Sequence, residues 1–199
     1  IFDSDIFDVT VSVEKNPCYL CARMRRGHLY SKAKELGCNK IALGHHFNDV
    51  IETTVMSMFY GSQLQAMPPM LHSTSFPGMT LIRPMYCIHE DDIIAWQHHN
   101  GLEFIQCACR FTENCTMCDN GGGGSKRQET KILLRRLKRD NPNIENSIFR
   151  SIHAVALDTM PGYKTEGQEH SFLERFDRVE AELQKELKEK QKQEADKTE

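Results

Sequence analysis

The chain has 199 residues, of which 39% are hydrophobic, enough for one domain and a modest second element. Its formal net charge of −3 excludes a general attraction to nucleic acid, so any RNA contact must come from a local basic patch. No signal peptide and no apolar run near ~18 residues is present, which favours a soluble, cytoplasmic protein without a membrane partner. The first residue is Ile1 rather than Met, which indicates that the sequence starts within a longer protein.

The first half of the chain has the pattern of an α/β fold. Residues 7–11 alternate in polarity as a short strand does, and residues 18–36 have the pattern of a helix that Gly37 ends. A short apolar strand at 40–43 follows, and then a second helix that ends near residue 60. This helix–strand–helix order predicts a parallel α/β sheet.

The second half has a similar pattern and then becomes helical and charged. In chain order we expect a loop over 61–78, a strand over 79–83, a helix over 89–100, an apolar run over 102–105, an irregular cysteine-rich and glycine-rich segment over 107–124, and helices over 125–139, over 143–155 and from 171 onward. We therefore predict a partial α/β domain with the cysteine clusters over 1–124 and a helical C-terminal extension over 125–199.

Eight cysteines are present, and six of them fall into clusters. Cys18 and Cys21 form a CxxC motif, which suits zinc, an iron–sulfur cluster or a redox dithiol. The distal cluster has four thiols, which could form a separate zinc site: Cys107, Cys109, Cys115 and Cys118. The isolated Cys38 and Cys87 are expected to be core residues, because a free cysteine packs as a small hydrophobe.

The segment Gly44–Thr53 lies where a strand gives way to a helix, and this edge of an open α/β sheet is where ligands bind. His45, Asp49 and Glu52 follow each other at helical spacing, so they share one face, and His46 adjoins them. We predict that these four residues bind a cofactor. The alternative is an ordinary capped helix with surface charges.

A basic helix follows the glycine run 121–124, which lacks the spacing of a Walker A loop and resembles a hinge or linker. Its positive charges strongly outnumber its negative ones, so a phosphate backbone could bind it, although a solvated face is the alternative. The predicted RNA contacts are Lys126, Arg127, Arg135 and Arg136 on this helix, together with Arg25 and Arg26 beside the first CxxC.

Several further motifs occur in a fixed order over roughly residues 16–155: Cys18-x-x-Cys21, Arg25-Arg26-Gly27-x-Leu29-Tyr30, Ala33-Lys34-Glu35-Leu36-Gly37, Lys40-Ile41-Ala42-Leu43-Gly44-His45-His46, Glu52-Thr53, Phe59-Tyr60-Gly61, Ala66-Met67-Pro68-Pro69, Ile82-Arg83-Pro84, Arg127-Gln128-Glu129 and Asn146-x-x-Phe149-Arg150. Together they resemble the tRNA 2-thiocytidine synthetase (TtcA-like) family of PP-loop ATPases. The resemblance implies the latter half of a Rossmann-like PP-loop domain with a C-terminal helical extension.

The same resemblance implies a tRNA sulfurtransferase that 2-thiolates a cytidine. Its cofactors are ATP with Mg²⁺ and a [4Fe–4S] cluster on three cysteines. Cys18 and Cys21 match the first two ligands, and Cys107 is favoured as the third by position, with Cys115 as its rival. The implied partners are tRNA and a sulfur donor, either a cysteine desulfurase or sulfide. The resemblance leaves the oligomeric state open and allows a homodimer.

Two departures from the family pattern qualify this expectation. The Ser-Gly-Gly-x-Asp-Ser pyrophosphate loop is absent, so this chain alone is expected not to adenylate anything. Asn48-Asp49 stands where the family usually has two acidic residues. The alternative functions are a sulfurtransferase for another base or a small molecule, and a zinc-binding RNA-interaction module without catalysis.

Overall fold

The computed structural model describes Ile6, residues 17–104 and residues 126–195, with side chains at Ile6, from 20 to 104 and from 126 to 191. The predicted strand at 7–11 and the whole distal cysteine cluster lie outside these residues. The chain divides into two compact units, Ile1–Ile152 and His153–Glu199, called unit 1 and unit 2 below. The domain boundary predicted between residues 124 and 125 also falls outside the described part, and the basic helix that follows it belongs to unit 1.

Unit 1 contains a three-stranded sheet formed by β1 (Lys40–Ala42), β2 (Met70–His72) and β3 (Thr80–Ile82). The strands lie in the order β1-β3-β2, with β3 parallel to β1 and antiparallel to β2. Ile41 pairs with Leu81 in the parallel register. The sheet is therefore mixed, although its two parallel strands agree with the α/β fold expected from the sequence.

The strand β2 lies inside the segment 61–78 that we predicted to be a loop. All three of its residues are exposed, so they lack the apolar alternation that marks a half-buried strand. The strand is held at the sheet edge by backbone pairing, and the Arg83 N–H extends this pairing by donating to the Pro69 carbonyl at 2.8 Å. Backbone pairing of this kind leaves no signal in the side-chain pattern.

The described residues of unit 1 also form five helices, whose observed ends agree with the predicted ends to within two residues: α1 (Pro17–Glu35), α2 (Phe47–Gly61), α3 (Glu90–His99), α4 (Lys126–Asp140) and α5 (Ile144–His153). Gly37 has a φ of +73°, the left-handed conformation that ends α1. Among the helices of the described residues, none is long and apolar enough to cross a membrane.

The core of unit 1 forms where α2 meets α4. Phe47, Ile51 and Val55 recur every four residues along α2 and are buried together with Leu134 of α4. Phe47 also packs on Phe149 of α5, with ring centroids 4.7 Å apart. Burial of this stripe fixes the face that α2 turns away from solvent, and with it the direction of the polar residues between the apolar ones.

The two isolated cysteines are not in this core. Cys38 and Cys87 are both exposed free thiols, so the prediction that they pack as core residues is wrong. Cys38 follows the left-handed Gly37 in the turn after α1, and Cys87 lies in the turn after β3. Turns run over the surface because their backbone groups need water, and this outweighs the preference of cysteine for burial.

Unit 2 contains a 3-10 turn (Leu157–Thr159), a β-hairpin of β4 (Gly162–Thr165) and β5 (Gln168–Ser171), and the helix α6 (Phe172–Ala195). The hairpin turns at residues 166–167, whose φ values of +51° and +79° are both left-handed. The C-terminal extension is thus largely helical, as expected, but it also includes a hairpin that we did not predict.

We predict that Phe47→Ala lowers the free energy of unfolding by about 3–5 kcal/mol, because it leaves a cavity among packed rings. Phe59→Ala provides a matched control on the same helix, since Phe59 is 60% exposed whereas Phe47 is 3% exposed. Urea unfolding followed by circular dichroism measures both variants. Equal losses in the two variants would contradict this assignment of the core.

Candidate functional site

The candidate site lies at the carboxyl edge of the two parallel strands. The Leu43 N–H donates to the Ile82 carbonyl at 2.9 Å, which carries the pairing of β1 and β3 up to this edge. Beyond it, β1 leads to His45 and His46, and β3 leads to Arg83. The carboxyl edge of an open α/β sheet is where such folds bind ligands, so these three side chains are placed for binding.

Asp49 closes the first turn of α2. Its Oδ2 accepts a hydrogen bond from the His46 backbone N–H at 3.1 Å and lies 3.5 Å from His46 Nε2. A carboxylate near a helix N-terminus is also favoured by the helix dipole. Asp49 therefore fixes the backbone of the His45–His46 turn with respect to the helix.

Glu52 provides a second carboxylate one turn further along α2, and it is almost completely buried. Arg127 Nη1 donates to Glu52 Oε2 at 3.2 Å and to Asp49 Oδ1 at 2.7 Å. Lys131 Nζ lies 3.7 Å from Glu52 Oε1 and 2.9 Å from Glu90 Oε1. These five residues, here called the carboxylate–cation cluster, join α2, α3 and α4.

The inward face of α4 explains how the cluster forms. Arg127, Lys131, Leu134 and Lys138 lie within about 60° of arc on an ideal helix. Leu134 is in the core, and Lys138 Nζ lies 2.7 Å from Glu145 Oε2 at the start of α5. One face of α4 therefore provides an apolar contact and three cations to its neighbours.

Burial shifts the pKa of the carboxyl group and of the imidazole group at this edge in opposite directions. It raises the pKa of Glu52, and the nearby Lys131 and Arg127 offset part of that rise. It lowers the pKa of His45, which Asp49 partly offsets, while Arg83 lowers it further. His45 is therefore neutral at pH 7, and one of its ring nitrogens can accept a hydrogen bond.

Three polar atoms near the carboxyl edge are buried without a hydrogen-bond partner among the described residues: His45 Nδ1, His46 Nδ1 and Arg83 Nε. The Arg83 guanidinium itself is held in place, because Nη1 donates to the Pro68 carbonyl. Buried polar groups are normally satisfied, so atoms of this kind are available to a bound ligand or to water.

A cavity of about 310 Å³ adjoins the carboxylate–cation cluster in unit 1. Its lining is mostly charged: Asn48, Glu52, Glu90, Asp91, Lys131, Leu134, Arg135, Lys138 and Glu145. The Asn48 side-chain oxygen accepts the Glu90 backbone N–H at 2.9 Å. Asn48, which we noted as a departure from the family pattern, thus ties the N-terminus of α3 to α2.

The cluster does not resemble a magnesium site. Lys131 Nζ lies between the carboxylates of Glu52 and Glu90, where a divalent cation would otherwise balance their charge. Within residues 17–104 and 126–195, no three His, Cys, Asp or Glu side chains form a group that could hold a metal ion. The expected Mg²⁺ therefore stays a prediction.

The first CxxC motif occupies the N-terminal turn of α1. Cys18 lies in this turn, and Cys21 follows one turn later as a buried free thiol, 7% exposed. Soft thiolates are the ligands of iron–sulfur and zinc centres. The donor type fits an iron–sulfur cluster, while Cys107 and Cys115 lie outside the described residues.

Two of the predicted RNA contacts are engaged within unit 1. Lys126 Nζ lies 2.9 Å from Glu129 Oε2 and 4.9 Å from the centroid of the Tyr60 ring. Arg127 belongs to the carboxylate–cation cluster. Their role in binding RNA stays a prediction, but both cations already have partners inside the protein.

Four other predicted RNA contacts are exposed. Arg135 and Arg136 lie on α4, and Arg25 and Arg26 lie on α1. Within the described residues, these four guanidinium groups form no ion pair. They are the better candidates for phosphate contacts, since their charges are not already neutralised.

The sequence analysis missed three residues of this site: Arg83, Glu90 and Lys131. Arg83 is the last residue of the strand predicted over 79–83, so the rule for the carboxyl edge could have identified it. Lys131 is four residues from Arg127 and shares its helix face. For Glu90 we find no comparable signal in the sequence.

A parallel strand pair whose carboxyl edge leads through a His-His turn into a helix N-terminus is placed where open α/β sheets bind their ligands. The model of the PP-loop domain family matches residues 7–110, just over half of the chain. The chain belongs to this family.

Within this group the chain is similar to tRNA-cytidine(32) 2-sulfurtransferases. It is 40% identical over 138 residues to the enzyme from Syntrophotalea carbinolica, a match covering 69% of this chain and 50% of that protein. It is 38% identical over 160 residues to the Vibrio campbellii enzyme, covering 78% of this chain and 50% of that protein. The chain thus spans about half the length of these relatives.

A solved structure supports the fold. The U34-tRNA thiolase NcsA from Methanococcus maripaludis, determined with its [4Fe-4S] cluster, superposes with a TM-score of 0.53 at 22% sequence identity. The match covers 77% of this chain and 48% of that chain. At this level of identity, the likeness shows a common α/β architecture.

We predict that Arg127→Ala raises the pKa of Glu52 further, because it removes one of the two cations that oppose the effect of burial. An NMR titration of the side-chain carboxyl carbons measures this pKa. Arg136→Ala is the matched control on the same helix, and it should leave Glu52 unchanged. An unchanged Glu52 pKa in Arg127→Ala would contradict the proposed electrostatic pairing.

The sign of the effect on stability follows from linkage. A folded pKa above the unfolded value near 4.5 means that the folded state binds more protons over this interval. The contribution of Glu52 to stability is therefore fully present below pH 4.5, and it is lost as the pH rises through the folded pKa. Arg127→Ala should move the end of this loss to higher pH.

Proposed function

We propose that the chain is part of an ATP-dependent tRNA sulfurtransferase that 2-thiolates a cytidine. The observation that carries this proposal is the 40% identity to a tRNA-cytidine(32) 2-sulfurtransferase over 69% of the chain. The arrangement of unit 1 supports it, because the CxxC motif begins the helix that leads directly into β1. A thiolate pair and a nucleotide-type sheet edge thus belong to one unit.

We propose that the nucleotide lies against the carboxyl edge, where His45 and His46 contact it directly. Both have a buried ring nitrogen without a partner among the described residues. Asp49 and Glu52 support the same site differently, because Asp49 fixes the His46 backbone and both carboxylates bind Arg127. Neutral His45 adds no positive charge and can accept or donate one hydrogen bond at each ring nitrogen.

We propose that Cys18 and Cys21 hold an iron–sulfur cluster with Cys107 as third ligand, and Cys115 as the alternative. When bound, a [4Fe–4S] cluster with three protein ligands would supply an iron that carries sulfur. The protein contributes two cysteines one turn apart at the start of α1, and a buried environment at Cys21 that limits access of water. The sulfur donor is a cysteine desulfurase or sulfide.

We propose that the tRNA is held by the exposed cations on α4 and α1, chiefly Arg135, Arg136, Arg25 and Arg26. Phosphate contacts by such side chains are independent of sequence and set the affinity rather than the choice of base. The choice of base is then left to groups at the carboxyl edge.

The cluster assignment predicts that Cys18→Ala and Cys21→Ala both lose iron and sulfide after anaerobic purification. Cys38→Ala is the control, because Cys38 is exposed and lies beyond the far end of α1. Comparison of Cys107→Ala with Cys115→Ala identifies the third ligand, since its loss should abolish cluster loading. Stoichiometric zinc without iron in the unmodified protein would favour a zinc-binding module instead.

The RNA assignment predicts weaker tRNA binding by an Arg135→Ala/Arg136→Ala variant. Each lost phosphate contact should reduce the slope of log affinity against log salt by about 0.9 on duplex RNA regions, by analogy with DNA. Lys32→Ala is a suitable control, because Lys32 Nζ lies 2.7 Å from Glu35 Oε2 and its charge is already paired. Identical affinities and slopes in the double variant would show that these arginines only solubilise α4.

A further inference from the structure

The C-terminal end of α2 exposes an apolar and aromatic patch on unit 1, whereas the earlier turns of the same helix provide the core. Four large side chains of this patch are each between 48% and 60% exposed: Met58, Phe59, Tyr60 and Leu64. Apolar groups that are exposed together, unlike scattered single ones, mark an interaction surface. The carboxylate–cation cluster uses none of them, so the patch is available to a partner.

The two rings of the patch are not equivalent. Tyr60 Oη donates to Glu129 Oε2 at 2.9 Å, and Lys126 Nζ lies 4.9 Å from the ring centroid, so α4 already holds this ring. The hydrogen bond to Glu129 also raises the pKa of Tyr60, which keeps the phenol neutral. Within the described residues, the Phe59 ring contacts no other ring and no cation. Phe59 is therefore free to stack on a ligand.

The backbone beneath the two rings is fixed by hydrogen bonds. Ser62 ends α2 in the left-handed conformation with a φ of +52°, and the Gln63 N–H donates to the Ser57 carbonyl at 3.1 Å. Ser57 Oγ donates to the Gln65 carbonyl at 2.8 Å, which ties the following loop back to the helix. A ring on a fixed turn loses little conformational freedom when it binds a ligand, and this favours affinity.

The patch borders the cations that we propose to hold tRNA. On an ideal helix, Arg136 lies within about 20° of Glu129 and about 10 Å further along the axis, so it shares the face of α4 that meets Tyr60. This length is the rise of about three stacked nucleotides of one strand. An RNA strand that contacts Arg136 through a phosphate therefore reaches the rings at the end of α2 within a few nucleotides.

Chemistry on an RNA base creates a need for such rings. A base inside a stacked strand is shielded, so an enzyme that modifies it acts on an unstacked base and offsets the lost stacking energy. Proteins bind unpaired bases by stacking them on exposed aromatic side chains. This stacking tolerates any base, because every base has a π face.

We propose that Phe59, held beside Tyr60, is the platform on which an unpaired base of the tRNA substrate stacks. This inference rests on the proposed function, which takes a tRNA as the substrate. The platform positions an unpaired segment of the RNA and does not select the base, which agrees with base selection at the carboxyl edge. Phosphate contacts of Arg136 and stacking on Phe59 then act on the same strand.

The first test compares two RNA probes, a stem-loop and a blunt duplex made from the same stem. Phe59→Ala should weaken binding of the stem-loop by about 5- to 150-fold, the range expected for one stacked base. It should leave binding of the duplex unchanged, because paired bases stay inside their own stack. Met58→Ala is the matched control, since Met58 is 49% exposed on the same turn but has no ring. Fluorescence anisotropy measures the affinities.

The second test separates stacking from simple apolar contact and from phosphate binding. Phe59→Trp should keep the affinity of the wild type, whereas Phe59→Leu should bind as weakly as Phe59→Ala, because leucine has no π face. Phe59→Ala should also leave the slope of log affinity against log salt unchanged. Arg136→Ala should reduce that slope, since the arginine contacts phosphate. Circular dichroism verifies that all variants keep their helix content.

Four results would overturn the proposal. Equal affinity of Phe59→Ala and the wild type for the stem-loop would remove the platform and leave the proposed function intact. Wild-type affinity in Phe59→Leu would show an apolar contact in place of stacking, and an equal loss on the duplex would show an effect that does not depend on unpaired bases. A wild-type chain that binds neither RNA would contradict the proposed function itself, and the inference with it.

Discussion

The buried carboxylate of Glu52 is the constraint on which the arrangement of unit 1 depends. An ionised carboxylate that is 3% exposed is tolerated only when opposite charges compensate for its lost hydration. Arg127 and Lys131 provide these charges from α4, and Lys131 also reaches Glu90 on α3. Three helices are thereby fixed around one buried group.

Because of this constraint, the two faces of α4 have different roles. The inward face carries Arg127, Lys131 and Lys138, whose charges are neutralised by carboxylates of α2, α3 and α5. The remaining arginines on the helix stay exposed and available for phosphate. A helix that the sequence shows only as a basic stripe therefore contributes both to the internal support of the sheet edge and to the proposed RNA surface.

The sequence predicted helix positions well and pairing across the chain poorly. Local signals such as Gly37 at the end of α1 fix helix ends, and these were correct within two residues. The exposed strand β2 and the polar hairpin in unit 2 give no alternating apolar pattern, although Gly167 at the turn was a usable signal.

The candidate site shows the same difference between local and long-range signals in the sequence. His45, His46, Asp49 and Glu52 follow one strand directly, so a rule about sheet edges was enough to select them. The partner of two of these residues, Arg127, is separated from them by 75 and 78 positions in the sequence. A contact at that separation depends on tertiary packing. In the sequence, Arg127 resembled any other cation of a basic helix.

The measurement that tests this account most directly is a double-mutant cycle on Glu52 and Arg127. Unfolding free energies of the wild type, Glu52→Gln, Arg127→Ala and the double variant give the coupling between the two side chains. Because one partner is buried, we predict a coupling of about 1–3 kcal/mol, within the range found for contacting groups. Effects that add to within about 0.5 kcal/mol would contradict the account, since residues without shared contacts behave in that way.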